Sequence, residues 1–291
     1  MGGPSSFVKI VSPGSGEYGS APMRLPCGKC RGCRVDYASD WAQRCYHESL
    51  MHDENCFLTL TYSPEFLPAY GCLSKKDFQG FMKRLRSKIA PVKVRYFHSG
   101  EYGDESFRPH YHCLLFGYDF PDKYFWRRSD DGDRIFRSEE LEKLWPFGHS
   151  EVGSVTYRSA GYVARYVWKK RYGSEGDERY LRLANAETGE MILVDREYAT
   201  MSRRPGIGRR YYDAYKSDMF PSDFVVIEGK RQKPAGYYFD LWKIEDPEGA
   251  AEVERRRQEY ADEHAADGTP ARLKVREKCL ELRTDRLERS L

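Results

Sequence analysis

Two histidines separated by one residue, His110 and His112, lie in Pro109 to Gly117, PHYHCLLFG. That run reads as a strand bounded by Pro and Gly. Strand side chains at i and i+2 point the same way, so both imidazoles can reach one cation. A third donor must come from a neighbouring strand or turn. Glu101 lies nine residues before His110, in Ser99-Gly100-Glu101-Tyr102-Gly103, and His98 is its rival. Two imidazoles and a carboxylate leave coordination positions open and suit Mn²⁺ or Mg²⁺ better than a closed zinc site.

Tyr162 and Tyr166 are four apart in Gly161 to Lys170, GYVARYVWKK. On a helix they are neighbours on one face. Arg165 and Lys169 fall near that face, while Val163, Ala164 and Val167 fall opposite it. The apolar side is expected to pack on a sheet, leaving two phenols and cations outward. Cations and a metal-polarised phosphate would help a phenol, of pKa about 10, act as a nucleophile.

Cys27, Cys30 and Cys33 form Cys-x2-Cys-x2-Cys, close enough for three thiolates to share a metal. A structural Zn²⁺ wants four ligands, with Cys45 the candidate fourth and His47 and Cys56 its alternatives. The other cysteines are scattered, and the eight together suggest no disulfide framework.

These residues need elements to hold them. Met1 to Leu25 is Gly/Ser/Pro-rich and reads as an arm. Residues 26–54 form a Cys-rich segment and a helix, Asp36 to His52, with Trp41, Cys45 and Tyr46 at helical spacing. Residues 55–172 form the core. Within it, Asn55 to Tyr62 is a strand, Ser74 caps a helix to Ile89, Val92 to His98 is a second strand and Pro109 to Gly117 a third. Tyr118 to Gly148 reads as an irregular insertion, in which Trp126, Arg127 and Arg128 are a candidate DNA-reading element. Ser150 to Tyr157 is a fourth strand and Ser159 to Tyr172 a helix. Residues 173–246 extend this domain with a hairpin turning at Thr188-Gly189 and a helix near Arg209 to Tyr215. Residues 247–291 form a charged tail, helical or partly disordered. Strands interrupted by single helices give an α+β fold around a central antiparallel sheet.

The net charge is +3, but its distribution is uneven. Lys75 to Arg95 carries eight Lys/Arg against Asp77 alone, and Val155 to Arg171 carries five and no acid. The last 51 residues hold 11 basic and 13 acidic groups. Positive charge gathered mid-chain, with 14% aromatic residues, suits a nucleic-acid partner. Arg203 and Arg204 flank Pro205 to Gly208, a loop expected beside a helix N-terminus where phosphates can bind. A wholly disordered chain is excluded by the aromatic content. No apolar run is long enough for a transmembrane helix. Met1 to Gly19 lacks an apolar signal core, so a cytoplasmic location is expected.

His-x-His on a strand, a carboxylate nine residues before and Tyr-x3-Tyr on a later helix are more specific together than apart. With Pro26 to Arg34, Phe57 to Tyr62, Gly100 to Gly103, Arg108 to His112, Tyr162 to Lys170 and Met201 to Gly208, the chain resembles the HUH endonuclease superfamily. It looks most like rolling-circle replication initiation proteins of microviruses, especially the gokushovirus branch. The likeness spans roughly residues 26 to 215.

The resemblance implies a sheet with packed helices, like an RNA-recognition fold. It implies Glu101, His110 and His112 as ligands of Mg²⁺ or Mn²⁺, Tyr162 and Tyr166 as paired nucleophiles, and Lys169 as a phosphate contact. Arg108, Arg165, Lys170, Arg203 and Arg204 are the candidate DNA contacts. The partner would be single-stranded or locally melted origin DNA, in the cytoplasm of a bacterial host. With no Gly-x4-Gly-Lys-Ser/Thr motif, unwinding would come from a host helicase and extension from a host polymerase. The rivals are a single-strand transposase or relaxase, a non-catalytic zinc-dependent nucleic-acid-binding protein, and a hydrolase activating water at His110 and His112.

Overall fold

The computed structural model describes residues 7–8, 23–24, 28, 30–103, 106–166, 178, 180–185 and 187–289. A two-residue pairing of Phe7–Val8 with Met23–Arg24 precedes the main body. The chain then runs through α1 (Arg31–Ser49), β1 (Asn55–Thr61), α2 (Lys75–Lys88), β2 (Arg95–Tyr102) and β3 (Pro109–Phe116). Next come β4 (Tyr124–Arg128), β5 (Arg134–Arg137), α3 (Glu139–Leu144), β6 (Ser150–Gly153) and α4 (Tyr157–Tyr166). The hairpin β7 (Leu181–Asn185) and β8 (Glu190–Leu193) leads to β9 (Tyr198–Met201) and α5 (Arg209–Met219). A small hairpin, β10 (Val225–Ile227) and β11 (Lys230–Gln232), is followed by α6 (Gly236–Glu245), α7 (Pro247–Glu263) and α8 (Pro270–Arg289).

Seven strands form one sheet in the order β9-β2-β3-β1-β6-β5-β4. Every pairing in it is antiparallel. The expected α+β class and central antiparallel sheet therefore hold.

Alternation sorts the strand residues onto two faces. On one, Leu58, Leu60, Cys113, Leu115 and Val152 pack against Phe78, Phe81, Met82 and Leu85 of α2 and Leu141 and Leu144 of α3. The Ser74 hydroxyl caps α2 by accepting from the Asp77 amide at 3.3 Å, as its sequence suggested. On the other face, Phe97, Leu114 and Phe116 pack against Ala42 and Cys45 of α1 and Ala160 and Val163 of α4.

A buried carboxylate ties α1 to this sheet. Glu48 accepts from the Arg95 Nε at 2.5 Å and from the Gly208 amide at 2.7 Å. Arg95 also donates to the Pro205 carbonyl at 2.6 Å. Beyond this node lies a second core, in which Tyr212, Phe220, Tyr238 and Phe239 gather with Ala250 and Val253 of α7. The domain break expected at residue 247 thus falls inside a packed cluster. The tail folds into α7 and α8, and α8 returns to α1, where Arg31 donates to Thr284 Oγ1 at 2.8 Å.

The insertion at Tyr118 to Gly148 is not irregular. It holds the β4–β5 hairpin and α3, and Phe136 of β5 pairs with Val152 to extend the sheet. Its strands, YFWRR and RIFR, show no alternation of apolar and polar residues, so no period marked them in the sequence. Among the described residues, no helix is long and apolar enough to cross a membrane.

His47 stacks on Tyr211 with ring centroids 3.9 Å apart and shares a hydrogen bond of 3.1 Å with the Tyr238 hydroxyl. Burial pushes its pKa down from 6.5 to about 4. The unfolded chain takes up this proton below the ordinary value, while the folded chain resists until the lower one. Stability should therefore fall as pH drops from 6.5 toward 4, by up to ~3 kcal/mol from this group. His98, also held low by burial, adds to the same slope. Thermal melts across that range should show a shallower decline in His47→Phe than in the parent chain. Parallel slopes would refute the assignment.

Candidate metal centre and nucleophile

Register places the donors. Glu101 of β2 lies directly opposite His110 of β3, and Ser99 lies opposite His112. Paired residues in an antiparallel ladder share a face, so Glu101, His110 and His112 come together. Their ligand atoms all lie within 4.8 Å of one another. Glu101 Oε1 is 2.8 Å from His112 Nε2 and 3.3 Å from His110 Nε2. Among the described residues this is the sole group of three or more His, Cys, Asp or Glu so arranged.

His98, the rival third donor, has the opposite parity and faces α2. It stacks on Phe78 and shares a hydrogen bond of 3.0 Å with the Thr200 hydroxyl. The pleat excludes it from the cluster.

Outer contacts orient both imidazoles. His110 Nδ1 lies 3.1 Å from the Arg108 carbonyl, which can only accept, so Nδ1 carries the proton. His112 Nδ1 lies 3.2 Å from the Thr59 hydroxyl, which can accept in the same way. Both Nε2 lone pairs are then left for a cation, as in metal-ligating histidines generally. Burial alone would raise the Glu101 pKa, but the adjoining His112 and His110 outweigh it and hold the carboxyl below its ordinary value. A carboxylate and two imidazoles form a donor set that fits a divalent cation with open positions.

The Tyr162 hydroxyl stands 3.4 Å from His112 Nε2. Its ring meets that of His112 edge-on, with centroids 5.0 Å apart. Phe57 stacks on His112 at 5.4 Å and meets the Tyr162 ring edge-on at 6.1 Å. α4 presents Tyr162 here because Ala160, Val163 and Ala164 are buried beneath it, the division expected from the sequence. Arg165 lies 6.0 Å from the Tyr162 ring. Tyr166 follows one turn later on α4. Lys169 and Lys170 lie outside the described residues.

Thr59 and Phe57 carry roles that the sequence reading did not assign. Both share the parity of His112, since Thr59 lies opposite His112 and Phe57 opposite Leu114. That parity was available in FLTLTY once the two strands were paired. Arg108 acts differently from expectation as well: its carbonyl holds His110, and its Nε donates to the Tyr62 carbonyl at 3.1 Å.

Other expected residues are not brought to the site. Ser202 bonds Tyr96, so Arg203 and Arg204 begin near the far end of β2. Tyr96 and Glu101 are five residues apart, roughly 17 Å of strand. The loop from Pro205 to Gly208 turns two of its backbone groups into the core. Its Gly208 amide donates to Glu48, and its Ile207 carbonyl accepts from Arg44 Nε at 3.0 Å. Cys45 does not complete a zinc site with Cys33. Both lie on α1, twelve residues and thus about 18 Å apart, and Cys45 is buried in the core. His47 and Cys56 are buried elsewhere. Cys30 is exposed, and Cys27 lies outside the described residues.

A cleft of about 1010 Å³ opens beside the cluster, lined by Phe57, Thr59, His112 and Tyr162 at one end and by Arg134 and Ile135 at the other. Arg127 and Glu151, paired at 3.0 Å, lie on its wall.

The family model Replication-associated protein ORF2/G2P matches residues 55–171, the stretch that carries every member of this cluster. Replication-associated protein VP4 of Bdellovibrio phage phiMH2K is 36% identical over 237 residues, covering 78% of this chain and 70% of that protein. Replication-associated protein ORF2 of Spiroplasma virus 4 is 32% identical, covering 74% of this chain and 66% of that protein. Replication-associated protein ORF4 of Chlamydia phage 1 is 30% identical, covering 75% and 53%. No solved structure matches. A relative this similar over most of both lengths, with a family model centred on the paired strands, leaves one conclusion: the chain belongs to the replication-associated proteins of microvirus-like phages.

Proposed function

We propose that this protein nicks single-stranded origin DNA by tyrosine attack and later rejoins the ends. The observation that carries this reading is the Tyr162 hydroxyl, 3.4 Å from an imidazole of the Glu101, His110, His112 donor set. A water-activating hydrolase has no use for a phenol there.

A Mg²⁺ or Mn²⁺ held by these three side chains would supply positive charge to an oxygen of the scissile phosphate. The chain's own residues do the rest. Tyr162 presents its oxygen to phosphorus from the wall of the cleft. The new Tyr O–P bond forms as the P–O3′ bond breaks, and the proton lost from the Tyr162 hydroxyl balances the one taken up by the departing 3′-oxygen. The 5′ end stays on tyrosine and the free 3′-hydroxyl can prime a polymerase. In the reverse sense, a 3′-hydroxyl attacks the phosphotyrosine and the Tyr O–P bond breaks, so joining needs no ATP. Tyr166, one turn along α4, is the second nucleophile in this scheme. Arg165, which lines the cleft, is suited to hold backbone phosphate. A host helicase would supply the melted strand.

Two outcomes follow. Titration with Mn²⁺ should show about 10- to 100-fold weaker binding in Thr59→Val, because His112 loses its orienting partner, with the melting temperature nearly unchanged. Equal affinity in the two proteins would remove Thr59 from the site. On a denaturing gel, a labelled origin oligonucleotide with Mn²⁺ should give a protein–DNA band that resists boiling and is lost in EDTA. Tyr162→Phe should reduce it at least about 100-fold in initial rate, and Tyr162→Phe/Tyr166→Phe should abolish it. Cleavage without a covalent band would overturn the tyrosine mechanism.

A further inference from the structure

The β4–β5 hairpin exposes three consecutive rings on the edge strand of the sheet. Tyr124, Phe125 and Trp126 are 49%, 49% and 52% exposed. Proteins usually blunt an edge strand or cover it, whereas here Tyr124 and Phe125, successive on the strand, present rings on both faces of an exposed edge. Cations are laid among these rings. The Arg137 guanidinium lies 5.3 Å from the Trp126 ring and that of Arg134 lies 5.5 Å from Phe125. Arg128 stands beside them, held to the Gly132 carbonyl at 2.9 Å.

The hairpin is joined to the candidate centre by the sheet itself. His112 pairs with Thr59, Thr59 with Glu151, and Glu151 holds Arg127 of β4. Four strand spacings separate β3 from β4, about 19 Å. At its tip, Asp131 and Asp133 pair with Arg158 in the first turn of α4. The hairpin therefore spans from the sheet edge to the helix that carries Tyr162, and walls the cleft between them.

We propose that this hairpin is a stacking platform for single-stranded DNA flanking the scissile phosphate. The proposal rests on the function proposed above, and specifies where the strand lies on either side of the chemistry. Rings that stack on bases, interleaved with cations that meet phosphates, are what a single strand requires. The spacing from His112 to the hairpin is within the reach of a site of about 4 to 16 nucleotides.

The test is fluorescence anisotropy with oligothymidylates of about 6 and about 20 nucleotides, in EDTA so that no cleavage occurs. Tyr124→Ala/Trp126→Ala should bind the longer strand at least about tenfold more weakly than the parent chain. It should bind the shorter strand nearly as well. Trp126→Phe alone, which keeps an aromatic face, should retain most of the affinity, which a merely structural role for the indole would not predict. Equal affinity of the parent and the double variant for the longer strand would overturn the platform. So would an equal loss on duplex DNA, or a change in sedimentation from dimer to monomer with DNA affinity unchanged. The covalent-adduct assay on a short origin oligonucleotide separates the two readings. Its failure in the parent chain would sink the nuclease, while the anisotropy comparison would still decide the platform.

Discussion

Alternation of side chains across three paired strands is the constraint on which the rest depends. β2, β3 and β1 are locked by two ladders, in which Glu101 faces His110 and His112 faces Thr59. A slip of one residue in either ladder would turn the donors to opposite faces. The register is in turn fixed by what each face must bury. Tyr111, Cys113 and Leu115 belong under α2, and Leu114 and Phe116 belong under α1 and α4. The apolar pattern therefore places the polar triad without any contact among its members having to specify it.

Placement of Tyr162 depends on a wider set of contacts. α4 lies both on the sheet and on α1, and the orientation of α1 is pinned by Glu48. That carboxylate is fully buried and is held below its ordinary pKa: burial would raise it, but His52, the Gly208 amide and Arg95 together outweigh burial. Breaking such a pair by removing one partner leaves an uncompensated buried charge, at a cost of roughly 3 to 5 kcal/mol. Glu48 belongs to α1, Arg95 to β2 and Gly208 to the loop before α5, so one node fixes three elements. This explains why Pro205 to Gly208, which has the composition of a phosphate loop, is spent on packing instead.

The parts legible in the sequence are those decided by local periodicity. His110 and His112 share a face because they are two apart. Tyr162 turns outward because Val163 and Ala164 turn in. The α2 cap and stripe were equally readable from Ser74 and Phe78. The illegible parts are those decided by non-local pairing. Choosing between Glu101 and His98 needed the register of β2 against β3, since both lie on one strand with opposite parity. The β4–β5 hairpin joins the sheet through the pairing of Phe136 with Val152 alone, and Arg and Asp residues interrupt its apolar pattern. Cys45 was a plausible ligand by type, but its position on the buried face of α1 follows from packing that spacing to Cys33 does not reveal.

The triad also stands against the general preference of the face that holds it. Around it lie Phe57, Phe97, Leu114 and the α1–α4 interface, whereas Glu101 is 1% exposed and His112 is 4% exposed. A buried carboxylate without a partner would cost several kcal/mol. The Glu101 Oε1 lies 2.8 and 3.3 Å from the two imidazole Nε2 atoms, and each ring is itself fixed by an outer acceptor, the Arg108 carbonyl or the Thr59 hydroxyl. The rings of Phe57 and Tyr162 exclude water from His112, which strengthens every remaining charge interaction at that atom. A fold selected for stability alone would fill these positions with apolar side chains of similar volume. Glu101, His110 and His112 instead set charged and polar groups on a largely buried face, beside the Tyr162 hydroxyl.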